Sequence, residues 1–168
     1  MFWTILLGIA TGMRTMTAIA VVCWAAYLGY LPVEGTWAFW TAKLVSVIVF
    51  TAFALGEYVA DTLPGTPSRT APMGVIPRVS FGILVGVVMA TTLGQPKAGG
   101  VIIGAIGALI GTYGGHRVRA FGARLVKHDL PVALAESALA VALSVMTVWH
   151  IHLEILTYPG HALLLLPH

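Results

Sequence analysis

The chain has 168 residues, 58% of them hydrophobic and only 9% charged, with a formal net charge of +3 and a mean hydropathy of +0.93. Soluble domains carry about 25% charged residues, so this chain cannot cover a soluble surface and reads as an integral membrane protein. The length suits one transmembrane domain, residues 1–168, with no separate soluble domain.

Five apolar segments are long enough to cross a bilayer, which takes roughly 20 residues: about 3–30, 38–62, 78–94, 98–118 and 131–153. The N-terminal "MFWTILLG" lacks the basic start of a secretory signal and reads as a helix that stays. The breaks between segments carry proline, glycine and charge, as in "GYLPVEGT", "LGQPKAGG" and "RVRAFGARLVKHDLP". The tail "YPGHALLLLPH" is apolar but too short to span. Cys23 is the single cysteine, so no intrachain disulfide or cysteine-based metal site can form.

The first segment holds Arg14 within "LLGIATGMRTMTAIAVV". Eleven residues into a straight helix is roughly 16 Å, near mid-membrane, where a charge costs at least ~2.5–3.5 kcal/mol. That span offers no acid. The expected partner is Glu57, late in the second segment, with Glu136 and a bound anion as the alternatives.

The loop after the second segment has four prolines, Pro64, Pro67, Pro72 and Pro77, with Pro77 expected in the first turn of the next helix. Thr66, Ser68, Arg69 and Thr70 supply donors suited to phosphate or carboxylate; the plainer reading is a stiff connector at the headgroup layer. Arg78 opens the third segment.

The fourth segment carries Gly100, Gly104, Gly107, Gly111 and Gly115 at spacings of three and four, and Gly8 with Gly12 and Gly82 with Gly86 repeat the pattern. Small residues on one face let helix backbones approach closely in lipid. The run Arg117, Arg119, Arg124 and Lys127 is expected to meet anionic headgroups.

Glu136 lies near the start of the fifth segment, and "WHIHLE" ends it with His150, His152 and Glu154 at alternate positions. On a helix such residues point about 200° apart and cannot chelate one metal. No cofactor or metal motif and no nucleophile–base pair can be assembled, so an enzyme is not expected.

"AKLVSVIVFTAFALGEY" (42–58) and "KAGGVIIGAIGALIGTY" (97–113) match loosely: a lysine, an apolar run, then Gly-x-Tyr, with Leu-Pro following in both cases. Read as a repeat, this makes two parallel two-helix units preceded by one extra helix, with Glu57 and Asp61 matched by Thr112 and His116.

With five spans, the N-terminus and the second and fourth loops share a side. That side holds Arg69, Arg78, Arg117, Arg119, Arg124 and Lys127, against Lys97 and Lys43 on the other. The positive-inside rule places it in the cytoplasm, giving a multi-pass protein of the cytoplasmic membrane with its N-terminus inside. Tyr30, Trp37, Trp40 and Trp149 then form an outer aromatic belt.

The stretches "GIATGMRTMTA", "GEYVADTLP", "PRVSFG" and "HDLPVALAES" together resemble an uncharacterised family of small bacterial integral-membrane proteins, a domain of unknown function. The resemblance covers nearly the whole chain. It implies a shared Gly-x-Arg, a Glu-x-x-x-Asp-x-x-Pro step, an arginine opening the third helix and a late glutamate, which fall on Arg14, Glu57, Asp61, Pro64, Arg78 and Glu136. It brings no activity with it.

The expected architecture is an all-α integral-membrane bundle of about five helices. The expected function is binding or transport of a small or lipid-linked anionic ligand through a charged intramembrane pocket of Arg14, Glu57, Asp61, Arg69, Arg78 and Glu136, with Gly8, Gly12, Gly100, Gly104, Gly107 and Gly111 packing the helices. The competing class is a non-catalytic accessory subunit whose glycine faces dock on a larger membrane complex. Expected partners are lipids, a second copy or such a complex, and no nucleic acid.

Overall fold

The computed structural model describes residues 2–60, 71–126 and 128–157. It contains six helices and one 3-10 turn, with no strand among the described residues. The helices are α1 (Phe2–Met13), α2 (Thr15–Tyr27), α3 (Leu44–Ala60), α4 (Pro72–Thr92), α5 (Lys97–Val126) and α6 (Asp129–Thr157), and the 3-10 turn Trp37–Ala42 precedes α3. Helices α4, α5 and α6 are long and apolar enough to cross a membrane; α1, α2 and α3, of 12, 13 and 17 residues, are shorter apolar helices. Asp61, Arg69, Lys127, the prolines Pro64 and Pro67 and the apolar tail lie outside the described residues.

The first expected span is not one helix. Arg14 separates α1 from α2 with extended backbone, φ −139° and ψ 107°. Its N–H still closes the α1 ladder on the Ala10 carbonyl at 2.8 Å, so the break falls immediately after it. The contacts show the chain reversing there. Gly8 faces Gly104 and Gly107 while Gly12 faces Gly111 and Thr112, so α1 runs parallel to α5. Trp3 stacks on His150 at 4.1 Å, and Met13 and Glu136 meet at Gly115, so α1 runs antiparallel to α6. In α2 the order is opposite: Arg14 reaches Ala133 and Tyr30 reaches His152. The two short helices therefore form an antiparallel hairpin with Arg14 at its tip, and Trp3 and Tyr30 return to the same end of α6.

The remaining helices alternate in direction. Thr17 pairs with Tyr58 and Trp24 with Thr51, which sets α3 against α2. Gly82 faces Gly104 and Gly86 faces Gly100, which sets α4 against α5. One end of the bundle gathers the Arg14 side chain, Glu57, Arg78, Arg119 and Glu136. The other gathers Trp3, Tyr30, Trp37, Lys97, Trp149 and both α6 histidines. Ala133 and His150 mark these two levels on α6, roughly 25 Å apart at 1.5 Å per residue.

Glycine makes the tightest contacts. Gly100 and Gly104 press on Gly86 and Gly82 of α4, and Gly107 and Gly111 on Gly8 and Gly12 of α1. A Cβ on Gly107 would come within 2.7 Å of the Ile5 carbonyl oxygen, and one on Gly111 would overlap the Ile9 carbonyl. The glycine faces are thus consumed within the chain, on two sides of α5. Two further glycines end helices. Gly29 (φ 80°) and Gly94 (φ 62°) supply the left-handed residue of a Schellman stop, with Tyr30 N–H on Ala25 and Gln95 N–H on Ala90, each at 2.8 Å.

Two expected boundaries move. Helix α4 begins six residues early because Pro72, not Pro77, takes the first turn, leaving Pro77 inside the helix. Helix α5 runs on to Val126 through a stretch read as a loop, because Val118, Phe121 and Leu125 continue its apolar pattern to the end, all three exposed. The two expected repeat units pack differently: α5 and α6 of the second unit lie against each other, whereas in the first unit α3 lies mainly on α2 and the 3-10 turn and α4 on α5 and α1.

Candidate functional site

Ending α1 at Arg14 leaves Thr15 and Met16 at the start of α2 without carbonyl partners one turn back. Arginine has no acceptor and cannot cap them. The carboxylate of Glu57 does so from α3: Oε1 accepts from Thr15 N–H and Oε2 from Met16 N–H, each at 2.9 Å. A carboxylate at a helix N-terminus gains both the hydrogen bonds and the positive end of the helix dipole. Arg78 Nη2 stands 4.0 Å from Glu57 Oε1, and Arg78 Nη1 donates to the Gly74 carbonyl at 2.7 Å.

The expected Arg14–Glu57 ion pair is therefore not the one formed. Glu57 grips the backbone beside Arg14, and its ion-pair partner is Arg78. Arg14 itself is 1% exposed. It donates from Nη2 to the Ala133 carbonyl at 3.2 Å and its guanidinium lies 5.3 Å from the centre of the Tyr58 ring. The Tyr58 and Thr17 hydroxyls share a hydrogen bond at 2.8 Å. The guanidinium reaches the level of Ala133, about one turn from the start of α6. The mid-membrane placement assumed a straight first helix; in a hairpin the middle of the segment is its far end.

Arg78 also fails to meet Glu136. The Glu136 Oε2 lies 3.5 Å from Arg119 Nη1 on α5, and Gly115 makes room for the same carboxylate, since a Cβ there would stand 3.2 Å from Oε1. The structure thus gathers Arg14, Glu57, Arg78 and Glu136 at one end and adds three residues that sequence reasoning missed: Thr15, Tyr58 and Arg119 as an ion-pair member. Tyr58 stood next to Glu57, and one residue of foresight would have found it. The Thr15 role is a backbone role, which no side-chain pattern reports. The α6 histidines point apart, His150 onto Trp3 and His152 with Nδ1 2.8 Å from the Tyr30 carbonyl.

A cavity of about 290 Å³ opens on Arg14, Tyr58, Ala133 and Ser137. A second, of about 150 Å³, shares Tyr58 and Val141 with it and extends to Val21 and Trp24. A third, of about 170 Å³, shares Val21 and Trp24 with the second and ends at Tyr30 and His152. Together they follow α2 from the charged end of the bundle to the aromatic end. No family model, curated protein or solved structure matches this chain, so the family resemblance rests on the quoted motifs alone.

Proposed function

We propose that the protein is a multi-pass membrane protein that binds and carries a small or lipid-linked anion along α2, with Arg14 as the anion contact. The observation that carries this reading is the buried Arg14 at the tip of the α1–α2 hairpin, heading a succession of open grooves that share walls. The break leaves the first N–H groups of α2 beside the guanidinium, and a helix N-terminus with an adjacent arginine suits an anion. Glu57 is the internal anion that holds the α2 N-terminus when the site is empty. Arg78 steadies Glu57, and the Arg119–Glu136 pair ties α5 to α6.

Basic residues at the Arg119 end support placing that end in the cytoplasm of a cell's inner membrane. On this reading Phe2 starts on the opposite, outer side, with the aromatic residues and the end of α6. A cytoplasmic N-terminus belonged to a straight first span. Maleimide labelling of Cys introduced at Phe121 and at Lys97 tests the sidedness: Phe121→Cys needs a permeant reagent and Lys97→Cys does not. The reverse pattern overturns it.

The competing reading, an accessory subunit docking through glycine faces, is less supported because Gly100, Gly104, Gly107 and Gly111 already pack against α4 and α1. Thermal shifts of the purified protein with inorganic phosphate, acetate, citrate and a polyprenyl phosphate, together with anion flux into liposomes, test the proposal. One of these anions raises Tm in the parent and not in Arg14→Gln, with both proteins monodisperse. No shift and no flux with any of them rejects the reading.

A further inference from the structure

On another face of α6 a groove of about 380 Å³ runs between α1, α5 and α6. Its walls are apolar, with Ile9, Ile110, Val118, Leu139 and Leu143 among them, and Arg119 and Glu136 stand at one end. Its α6 wall differs residue for residue from that of the Arg14 cavity, which uses Leu130, Ala133, Leu134, Ser137, Ala138 and Val141.

We propose that this groove seats one acyl chain of an anionic phospholipid whose headgroup rests at Arg119. Three features point to that occupant. From Val132 to Leu143 the α6 wall rises roughly 16 Å, about half of the ~30 Å hydrocarbon core, which is the depth of one leaflet. The polar end is the basic end: Arg117 and Arg124 on the same helix are both exposed, and such residues attract anionic headgroups. The hollow is built into α5 by glycine, because at Gly114 an added Cβ would meet nothing within 4 Å. The inference shares with the anion-carrier reading only the placement of the basic end at a leaflet surface. Lipid retention tests it and anion flux tests the other, so either can fail alone.

Gly114→Leu fills the groove without striking backbone, so the fold is kept. Native mass spectrometry from mixed micelles of phosphatidylglycerol and phosphatidylcholine with identical chains gives the readout. The parent retains phosphatidylglycerol over phosphatidylcholine about fivefold, the effect of one basic contact. Gly114→Leu loses retention of both. The double variant Arg119→Gln/Glu136→Gln, which removes both charges together, keeps retention and loses the preference. Inorganic phosphate and glycerol phosphate do not displace the lipid. Equal retention of the two lipids by the parent, unchanged retention in Gly114→Leu, or displacement by glycerol phosphate overturns the proposal. So does a Gly114→Leu variant that changes only from dimer to monomer, which would assign the groove to a second copy.

Discussion

The two arms of the first hairpin have nearly the same length and composition, yet they are held in opposite ways. Helix α1 lies backbone against backbone on α5 through Gly8 and Gly12. Helix α2 has no glycine between Thr15 and Leu28. Side chains hold it: Glu57 and the Thr17–Tyr58 hydrogen bond at its first turn and Ala18, Ile19, Val22 and Cys23 in the core, with open grooves along its remaining face. Close glycine contacts fix distance and register together, because nothing can rotate out of the way. Side-chain tethers can be released one at a time. The difference fixes α1 through backbone contacts and α2 through side-chain contacts.

The largest effect is expected on the α1 side. Gly111→Leu and Gly12→Leu each put a side chain where a neighbouring backbone already stands. Overpacking costs about 1–3 kcal/mol when neighbours can shift, and here the obstacles are carbonyls and Cα atoms. Both variants should be polydisperse or lose most of their thermal stability in detergent. Gly56→Leu, whose added Cβ meets nothing within 4 Å, should behave as the parent. A Gly111→Leu protein as heat-stable as Gly56→Leu would show that α1 is no more fixed than α2.

A smaller loss is expected from Glu57→Leu, which leaves the Thr15 and Met16 N–H groups without acceptors and removes a carboxylate from beside Arg78. Leaving a buried group unsatisfied costs about 1–3 kcal/mol. Arg78→Leu should also destabilise, and the double variant should lose less than the sum of the two. Additive losses by thermal melting would mean that the 4.0 Å separation carries no useful interaction and that Glu57 acts only as the α2 cap.

This contrast between the arms was only half legible in the sequence. The glycine contacts were, because spacings of three and four report a helix face directly, and the glycines expected to pack helices do so. That Arg14, Glu57, Arg78 and Glu136 would lie at one end was also legible, but the single pocket expected of them was not formed: Arg14 and Glu136 line separate grooves and Glu57 and Arg78 line neither. The hairpin was not legible. Hydropathy runs unbroken across residues 3–30, and nothing local at Arg14 stops a helix: the capping acid comes from α3. The partner choices failed for the same reason. A straight first span puts Arg14 opposite Glu57, whereas a folded one offers Glu57 the free N–H groups next to Arg14. In α4 the failure was of a simpler kind, since two prolines competed for one first turn and Pro72 took it.

The smallest effect separates a tether from a brace. Tyr58→Phe removes one hydroxyl, and with it the hydrogen bond to Thr17, a loss of about 0.5–1.5 kcal/mol that melting will barely register. The consequence for α2 should be larger than for the whole protein. Cys23 is a native reporter there: it is the single cysteine, it sits on α2, and it is fully buried. A thiol reagent reaches it only when α2 opens, and a loss near 1 kcal/mol in closing free energy raises the open population about fivefold. Cys23 should therefore react severalfold faster with a small maleimide in Tyr58→Phe, and in Thr17→Val, than in the parent. The Thr17→Val/Tyr58→Phe double variant should react no faster than either single variant, because all three lack the same hydrogen bond. Backbone amide exchange in Leu7–Met13 should stay unchanged. Equal acceleration of exchange in both arms would mean that the hairpin opens as one body, and the division between a fixed α1 and a releasable α2 would fall.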